Sequence, residues 1–416
     1  MKIFRTQFWS ICLGNLFEHY DTALFGFLSP FLAPLFFPKH DPLTALMLTY
    51  AIIPMGMLMR PLGALFFGYI GDLQGRSRAL FVSLLGMGCI SFCMAFIPTF
   101  ERVGILAPIL FCLARLVQNF LASGEIMGGA ILLLEGANEK KHDVLSSLYG
   151  ASTIGGILLA SLGVSVLCQA FSVESGWRSL YIIGGITALF GCIIRVRERI
   201  SPLKVLKQPL AQIGKTLWAY RKAASLIAVC AGFSYASYSV ALVLINGLVP
   251  LVTSMTKEEM MQVNSSLLIL DFAALPFCGW IASKISREKL MIGASLAVFA
   301  CAMPLFLLLE QGSWVSVVSI RIAFVFLGVA FSAPLHAWAQ KLIPEAHRYL
   351  VISFGYALGS QLIGSPTSAI SLWLFKETGM ITSIAWYWMA LALLTTVGIF
   401  RGCYTSSQDK LYKVSH

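Results

Sequence analysis

Long apolar runs alternate along the chain with short breaks that are polar or contain Gly and Pro. A helix crosses a bilayer with about 20 consecutive apolar residues. Cutting the sequence at its breaks gives twelve candidate spans, at 9–37, 43–70, 79–97, 104–135, 146–170, 178–196, 223–252, 262–283, 290–309, 314–341, 348–375 and 381–401. The pattern therefore predicts an all-α membrane protein. Lys2 and Arg5 ahead of the first run suggest a signal peptide, but that run carries Glu18 and Asp21 and no small-residue cleavage site follows. It reads as an uncleaved first helix.

Composition agrees. Of 416 residues, 58% are hydrophobic and 12% charged, where soluble domains carry roughly 25% charge. Mean hydropathy is +0.80. With the N-terminus inside, most of the thirty lysines and arginines fall on one side of the spans, from Lys2, Arg5, Arg76 and Arg78 through Arg195 to Lys222, then Lys284, Arg287, Lys289, Lys341, Arg348, Arg401, Lys410 and Lys413. Lys39, Arg102, Arg178, Lys257 and Lys376 fall at the other side, and Arg60, Arg115 and Arg321 lie within spans. Positive loops stay cytoplasmic, so both termini are expected in the cytoplasm. The net charge of +11 is then a topology signal. A nucleic-acid partner would need a basic soluble module, and none is present. The ten cysteines lie mostly inside apolar runs without C-x-x-C or His/Cys ligand spacing, which argues for packing and against a disulfide framework or metal site.

The longest polar interruption, Arg195 to Lys222, divides the chain. It sets expected boundaries at 1–199 for a first six-helix bundle, 200–222 for a basic cytoplasmic linker, 223–403 for a second bundle and 404–416 for a short cytoplasmic tail. The two halves echo one another. Gly68-Tyr-Ile-Gly-Asp72-Leu-Gln-Gly75-Arg76-Ser-Arg78 follows the second span, and Gly279-Trp-Ile-Ala-Ser283-Lys284-Ile-Ser-Arg287-Glu-Lys289 follows the eighth. More faintly, Arg115 in the fourth span matches Arg321 in the tenth.

The first of these motifs closely resembles the loop signature of the major facilitator superfamily, with Leu73 where a basic residue is usual. Arg115-Leu-Val-Gln118-Asn119 is similar to that superfamily's R-x-x-Q-G element, with Asn119 replacing glycine, and Trp177-Arg178 opens the sixth span as in the family. Gly14-Asn15-Leu-Phe-Glu18-His19-Tyr20-Asp21, Arg60-Pro61-Leu-Gly63 and Ser123-Gly124-Glu125 narrow the resemblance to metabolite:proton symporters, whose members include α-ketoglutarate, citrate, shikimate and proline/betaine permeases. The match covers most of residues 10–202 and is fainter beyond.

The resemblance implies twelve transmembrane helices in two pseudo-symmetric six-helix bundles, with substrate between them near the midplane and spans one, four, seven and ten lining the cavity. It implies alternating access powered by a proton gradient with no cofactor, in a chain that is monomeric in a bacterial inner membrane. The partners are then a small-molecule substrate, protons and the lipid bilayer. Gly68, Asp72, Gly75, Arg76 and Arg78 would form a gating loop, with Gly75 permitting the tight turn, Arg76 and Arg78 among lipid phosphates, and Asp72 serving conformational switching. With so short a tail after Arg401, the long coiled coil of osmosensory betaine permeases is not expected.

Depth selects the charged residues that matter. An ionisable group at the bilayer centre costs at least about 2.5–3.5 kcal/mol, so it needs a partner, a wet cavity or a role. At ~1.5 Å per residue, Glu18 lies roughly 14 Å into the first span, Arg60 roughly 18 Å above Asp72, and Arg115 roughly 16 Å below the outer end of the fourth span. These depths coincide. Glu18 and Asp21 share a helix face, and Arg115, Gln118, Ala122 and Glu125 form one stripe.

Arg60 and Arg115, with Gln118 and Asn119, are candidates to grip a substrate carboxylate through a planar fork that lysine lacks. Glu18 and Asp21, and then Glu125, are candidates to carry protons. The competing reading is that Asp21, Arg115 and Glu125 neutralise one another and brace the first and fourth spans. His19, about 100° around the helix from Glu18, is expected to contact a neighbouring helix or relay protons. In the second half Asp271 is the candidate at mid-depth, with Asn246 in the seventh span, whereas Arg321 is placed near the outer surface and His336 near the inner one. Gly150, Gly155, Gly156 and Gly163 are expected to let helices approach closely.

Neither H-E-x-x-H nor G-x-S-x-G occurs, and Gly214-Lys215-Thr216 lacks the earlier glycine of a phosphate-binding loop, with Pro209 in its place. An enzyme is therefore not expected. Organic acids rank first as cargo, zwitterions such as proline or betaine second and drug/proton antiport third, with a channel or receptor as the alternative outside transport.

Overall fold

The computed structural model describes residues 2–37, 52, 55–170, 173–197, 212–310 and 312–414. Among the described residues twelve helical passes follow one another. They are α1 (Lys2–Phe36), α2 (Met59–Gln74), α3 (Arg76–Met94), α4 (Leu106–Glu135), α5 (His142–Ala170) and α6 (Val173–Arg197). Next come α7, α8 (Lys257–Ile285), α9 (Arg287–Leu309), α10, α11 and α12 (Thr382–Val414). Three of these are composite. In α7, Arg221–Tyr238 continues through a π-turn, Ser239–Leu244, into Ile245–Val252. In α10, Trp314–Ser332 is followed by Leu335–Lys341, the break falling at Pro334, and in α11 Arg348–Gly359 runs through a π-turn, Ser360–Gly364, to Thr367–Thr378. These interruptions were not expected from hydropathy, which does not register a local change of helical pitch.

Among the described residues, nine stretches are both long and apolar enough to cross a bilayer. The expected start of the second span, the Arg199 region and most of the 200–222 linker lie outside the described residues. The linker's end forms a short helix, Gln212–Ala219. α2 extends to Gln74, past the expected end at 70, and α12 continues as helix through residues assigned to the tail.

The chain divides into two compact units that are discontinuous in sequence. The first comprises Met1–Ala137, Ser152–Ile213 and Glu345–Phe354, and the second comprises Asn138–Ala151, Gly214–Pro344 and Gly355–His416. In the first unit α3 packs on α4 and α6, α2 on α4, and α1 on α4 and α6. An aromatic core of Phe25, Phe36, Phe111, Trp177 and Tyr181 fills one end. Gly156 of α5 permits the expected close approach, since a Cβ there would meet the α1 backbone 2.8 Å from the Tyr20 nitrogen. In the second unit α9 packs between α10 and α12, and α8 packs on α10. Large apolar side chains such as Leu113, Phe190, Val315 and Phe400 are exposed, as a lipid solvent allows.

Candidate functional site

Helices α1, α3, α4 and α6 enclose a buried polar cluster in the first unit. Asp21 accepts hydrogen bonds through Oδ2 from the Ser91 hydroxyl and from Gln118 Nε2, the latter at 2.7 Å. Gln118 Nε2 also donates to Ser91 Oγ at 2.9 Å, and Gln118 Oε1 accepts from Arg115 Nη1. Asp21 and Arg115 are thus joined through a carboxamide and not by a direct ion pair. Arg115 also lies 4.6 Å over the Phe25 ring. Its Nε, Asp21 Oδ1 and the Tyr181 hydroxyl are buried without a hydrogen-bond partner among the described residues. Ser91 and Tyr181 carried no sequence signal, because a hydroxyl in an apolar run is unremarked until its neighbours are known.

One turn earlier, Glu18 accepts from Thr22 Oγ1 at 2.9 Å, and its Oε2 is 2.5 Å from His19 Nδ1. That nitrogen also lies 2.9 Å from the Asn15 carbonyl oxygen. His19 therefore folds back on its own helix, a correction to the expectation that it points away from Glu18. Side-chain rotation overrides the angular separation of the Cβ vectors. Arg60 Nε donates to Asn119 Oδ1 at 3.0 Å, within electrostatic reach of Glu18, and Asn119 Nδ2 donates back to the Arg115 carbonyl at 3.0 Å. The asparagine in place of the family glycine is what holds Arg60.

Glu125 is 0% exposed and held on both oxygens by Arg195, with Nη1 to Oε2 at 2.8 Å and Nη2 to Oε1. Arg195 Nη1 also donates to the Leu80 carbonyl at 3.0 Å. Counting Arg195 with the cytoplasmic loop is corrected here: its guanidinium is buried. The brace proposed among Asp21, Arg115 and Glu125 is likewise replaced by separate partnerships, since Glu125 pairs with α6.

At the foot of α2 the chain turns through Gly75, with φ 99°, into α3. Asp72 accepts from the backbone N–H groups of Tyr349 at 3.3 Å and Leu350 at 3.0 Å. Arg76 is buried against Glu135 and donates to the Glu345 carbonyl at 2.7 Å, while Arg348 donates to Glu135 Oε1 at 2.9 Å. Arg76 is therefore an internal ion-pair member and not a lipid-phosphate anchor; Arg78 is the exposed one. Tyr349 is fully buried, its hydroxyl donating to the Gly124 carbonyl at 2.5 Å and its ring lying over Gly71 and Gly128. Gly68 abuts Leu350, where a Cβ would approach to 2.7 Å.

The second unit repeats the turn. Ser286, with φ 118°, replaces Gly75 ahead of Arg287. Arg287 pairs with Asp143, with Nε to Oδ1 at 2.8 Å, and donates to the Ala337 carbonyl at 3.0 Å. Gly279 abuts Ser147 as Gly68 abuts Leu350. Asn246 Nδ2 donates to the Leu242 carbonyl at 2.7 Å, leaving Oδ1 buried without a partner among the described residues. Asp271 is 6% exposed, and no hydrogen bond joins it to Asn246. Arg321, two turns into α10, is fully buried and donates to the Met260 carbonyl at 3.2 Å and Asn264 Oδ1 at 2.7 Å, toward the start of α8.

Twelve helical passes, a repeated positive-φ turn clamped by buried ion pairs, and charged groups buried inside the helix bundle define a polytopic secondary transporter, not an enzyme. The chain belongs to the Major Facilitator Superfamily, whose profile matches residues 11–368. A citrate-proton symporter of Klebsiella pneumoniae is 28% identical over 94% of this chain and 89% of its own length. The glycine betaine/proline/ectoine/pipecolic acid transporter OusA of Dickeya dadantii is 26% identical, covering 96% and 83%. Among solved structures, the proton:xylose symporter XylE superimposes with a TM-score of 0.74 at 15% identity, covering 96% of each chain, and the E. coli fucose:proton symporter FucP with 0.69 at 12%, covering 95% and 98%. At such identities the structures share the fold.

Proposed function

We propose that this chain carries a small carboxylate-bearing metabolite together with protons, by alternating access, across a bacterial inner membrane in which both termini face the cytoplasm. The observation that carries the reading is the state of Arg60 and Arg115. Both are buried, and both are held by carboxamides, Asn119 and Gln118, with no carboxylate at ion-pair distance among the described residues. A buried guanidinium without an anion is costly. A substrate carboxylate supplies the missing charge through charge-assisted hydrogen bonds, and Arg115 Nε, without a hydrogen-bond partner among the described residues, is a donor for it. Gln118 and Asn119 orient the two forks, and Asn246 is a candidate polar contact in the second unit. Glu18 and Asp21 stand near these arginines and are the candidate proton carriers of the first unit. The proton gradient is the driving force and one chain is the working unit.

A zwitterionic substrate is the second reading. It is favoured by the presence of two acids among two arginines in one cluster, and by the similarity to OusA as well as to the citrate symporter. Uptake of labelled citrate, proline and glycine betaine into proteoliposomes under an imposed pH gradient tests both readings. With Arg115→Lys, transport of the accepted substrate should fall far more than protein level, because the fork is lost while the charge remains. Unchanged uptake in both Arg115→Lys and Arg60→Lys would leave these residues as structural partners.

A further inference from the structure

Asp271 differs from the other buried acids of this protein. It stands mid-way along α8, fourteen residues from Lys257 and fourteen from Ile285, so roughly 21 Å from either end. It is 6% exposed, on a helix stretch with Leu267, Leu268, Ala274 and Leu275 in the core. Glu18 accepts from Thr22, Asp21 from Ser91 and Gln118, Glu125 from Arg195, and Asp143 from Arg287. Each is a carboxylate whose charge is met by donors. Asp271 has no hydrogen bond and no ion pair among the described residues.

Among the described residues its surroundings offer no cation. From α7 the Tyr238 phenol lies within electrostatic reach, and on α8 itself so does the Cys278 thiol. The first turns of α5 meet this part of α8 at Gly150 against Leu275 and Ser147 against Gly279, and the ions there, Asp143 and Arg287, are already paired with each other. From α10, Arg321 reaches α8 at Asn264, seven residues earlier and roughly 10 Å along the helix. The charged residues of α9, Arg287, Glu288 and Lys289, all stand in its first turn. An ionised carboxylate so placed would be uncompensated, and such groups become neutral instead. The π-turn Ser239–Leu244 begins directly after Tyr238, and single π-turns inside α-helices recur at functional sites.

We propose that Asp271 is a second proton-binding site, loaded and unloaded by the second unit independently of Glu18 and Asp21, so that each transport cycle moves one proton more than the acids of the first unit account for. The step is a protonation alone. An O–H bond forms on the Asp271 carboxylate with a proton taken from water on one side of the membrane, and the same bond breaks to water on the other. The proposal rests on the proton-coupled reading above and changes the role first expected for Asp271 from substrate contact to coupling.

The test is the proton-to-substrate ratio, measured from the reversal of substrate flux against imposed pH gradients in proteoliposomes. Asp271→Asn mimics the protonated group, so substrate counterflow should persist while the ratio falls by one proton per substrate. An unchanged ratio, or loss of substrate binding in Asp271→Asn, overturns the proposal. Infrared spectra of the purified protein supply a second readout. The C=O stretch of a buried protonated carboxyl should vanish in Asp271→Asn and shift in Asp271→Glu, and a wild-type spectrum without that band also overturns it. A wild-type protein that accumulates substrate with no proton movement, yet shows the band, would instead count against the proton-coupled reading.

Discussion

Replacing Arg195 by methionine leaves Glu125 in a site where it is 0% exposed and loses both guanidinium contacts, together with the bond to the Leu80 carbonyl. Breaking one side of a buried pair costs about 3–5 kcal/mol, because the surviving charge is desolvated and uncompensated. Removing both charges is different. In Arg195→Met with Glu125→Leu the same volume is filled by apolar atoms, and such replacements are often neutral or stabilising. The two changes should therefore be strongly non-additive, by about 3 kcal/mol or more. Thermal unfolding of the four proteins in one detergent measures the cycle. Proteoliposome uptake of the same four asks whether Glu125 also carries protons. A carboxylate clamped on both oxygens is a brace between α4 and α6, so the double variant should keep its coupling. Additive destabilisation would refute the energetic argument, and a stable double variant that transports without protons would return Glu125 to the coupling set.

Asp72→Asn weakens the charge-assisted bonds to the Tyr349 and Leu350 amides, worth about 1.5–3 kcal/mol. It should slow transport while leaving equilibrium substrate affinity nearly intact, and a large loss of affinity would place the loop in the binding site. Gly128→Ala puts a methyl group where the Tyr349 hydroxyl lies, an overpacking cost of about 1–3 kcal/mol. Hydrogen exchange at residues 345–354 should accelerate, and unaltered protection would show that Tyr349 does not hold that segment. Ser286→Gly relieves a φ of 118°, a strain of about 1–3 kcal/mol, at the loss of a cap to the Lys289 amide worth a few tenths of a kcal/mol. The melting temperature should rise, and a fall would mean that the cap outweighs the strain.

Much of this protein was legible along the chain because its main signals are local. Hydropathy over about 20 residues marks a span whatever it packs against, and the basic loops and the repeated motif at Gly75 and Arg287 are read without knowing any contact. Depth was legible for the same reason: the rise of ~1.5 Å per residue set Glu18, Arg60 and Arg115 at one level before any packing was known. The π-turns in α7 and α11 escaped notice because pitch leaves no trace in hydropathy. The partnerships also escaped, because a salt bridge or hydrogen bond depends on which helix faces meet. Arg195 looked like a loop cation until α6 laid it against Glu125, and His19 looked remote from Glu18 until its rotamer was known. Ser91 acquires meaning only where α3 meets Asp21. Sequence alone determined that this chain spans a membrane in twelve passes with charged residues inside several of the spans, because the bilayer constrains every residue by its position along the span. The tertiary structure decided which charges are satisfied, as at Glu125 and Asp72, and which have no ion-pair partner among the described residues, as at Arg115 and Asp271, because compensation of a buried charge is a property of neighbours distant in sequence.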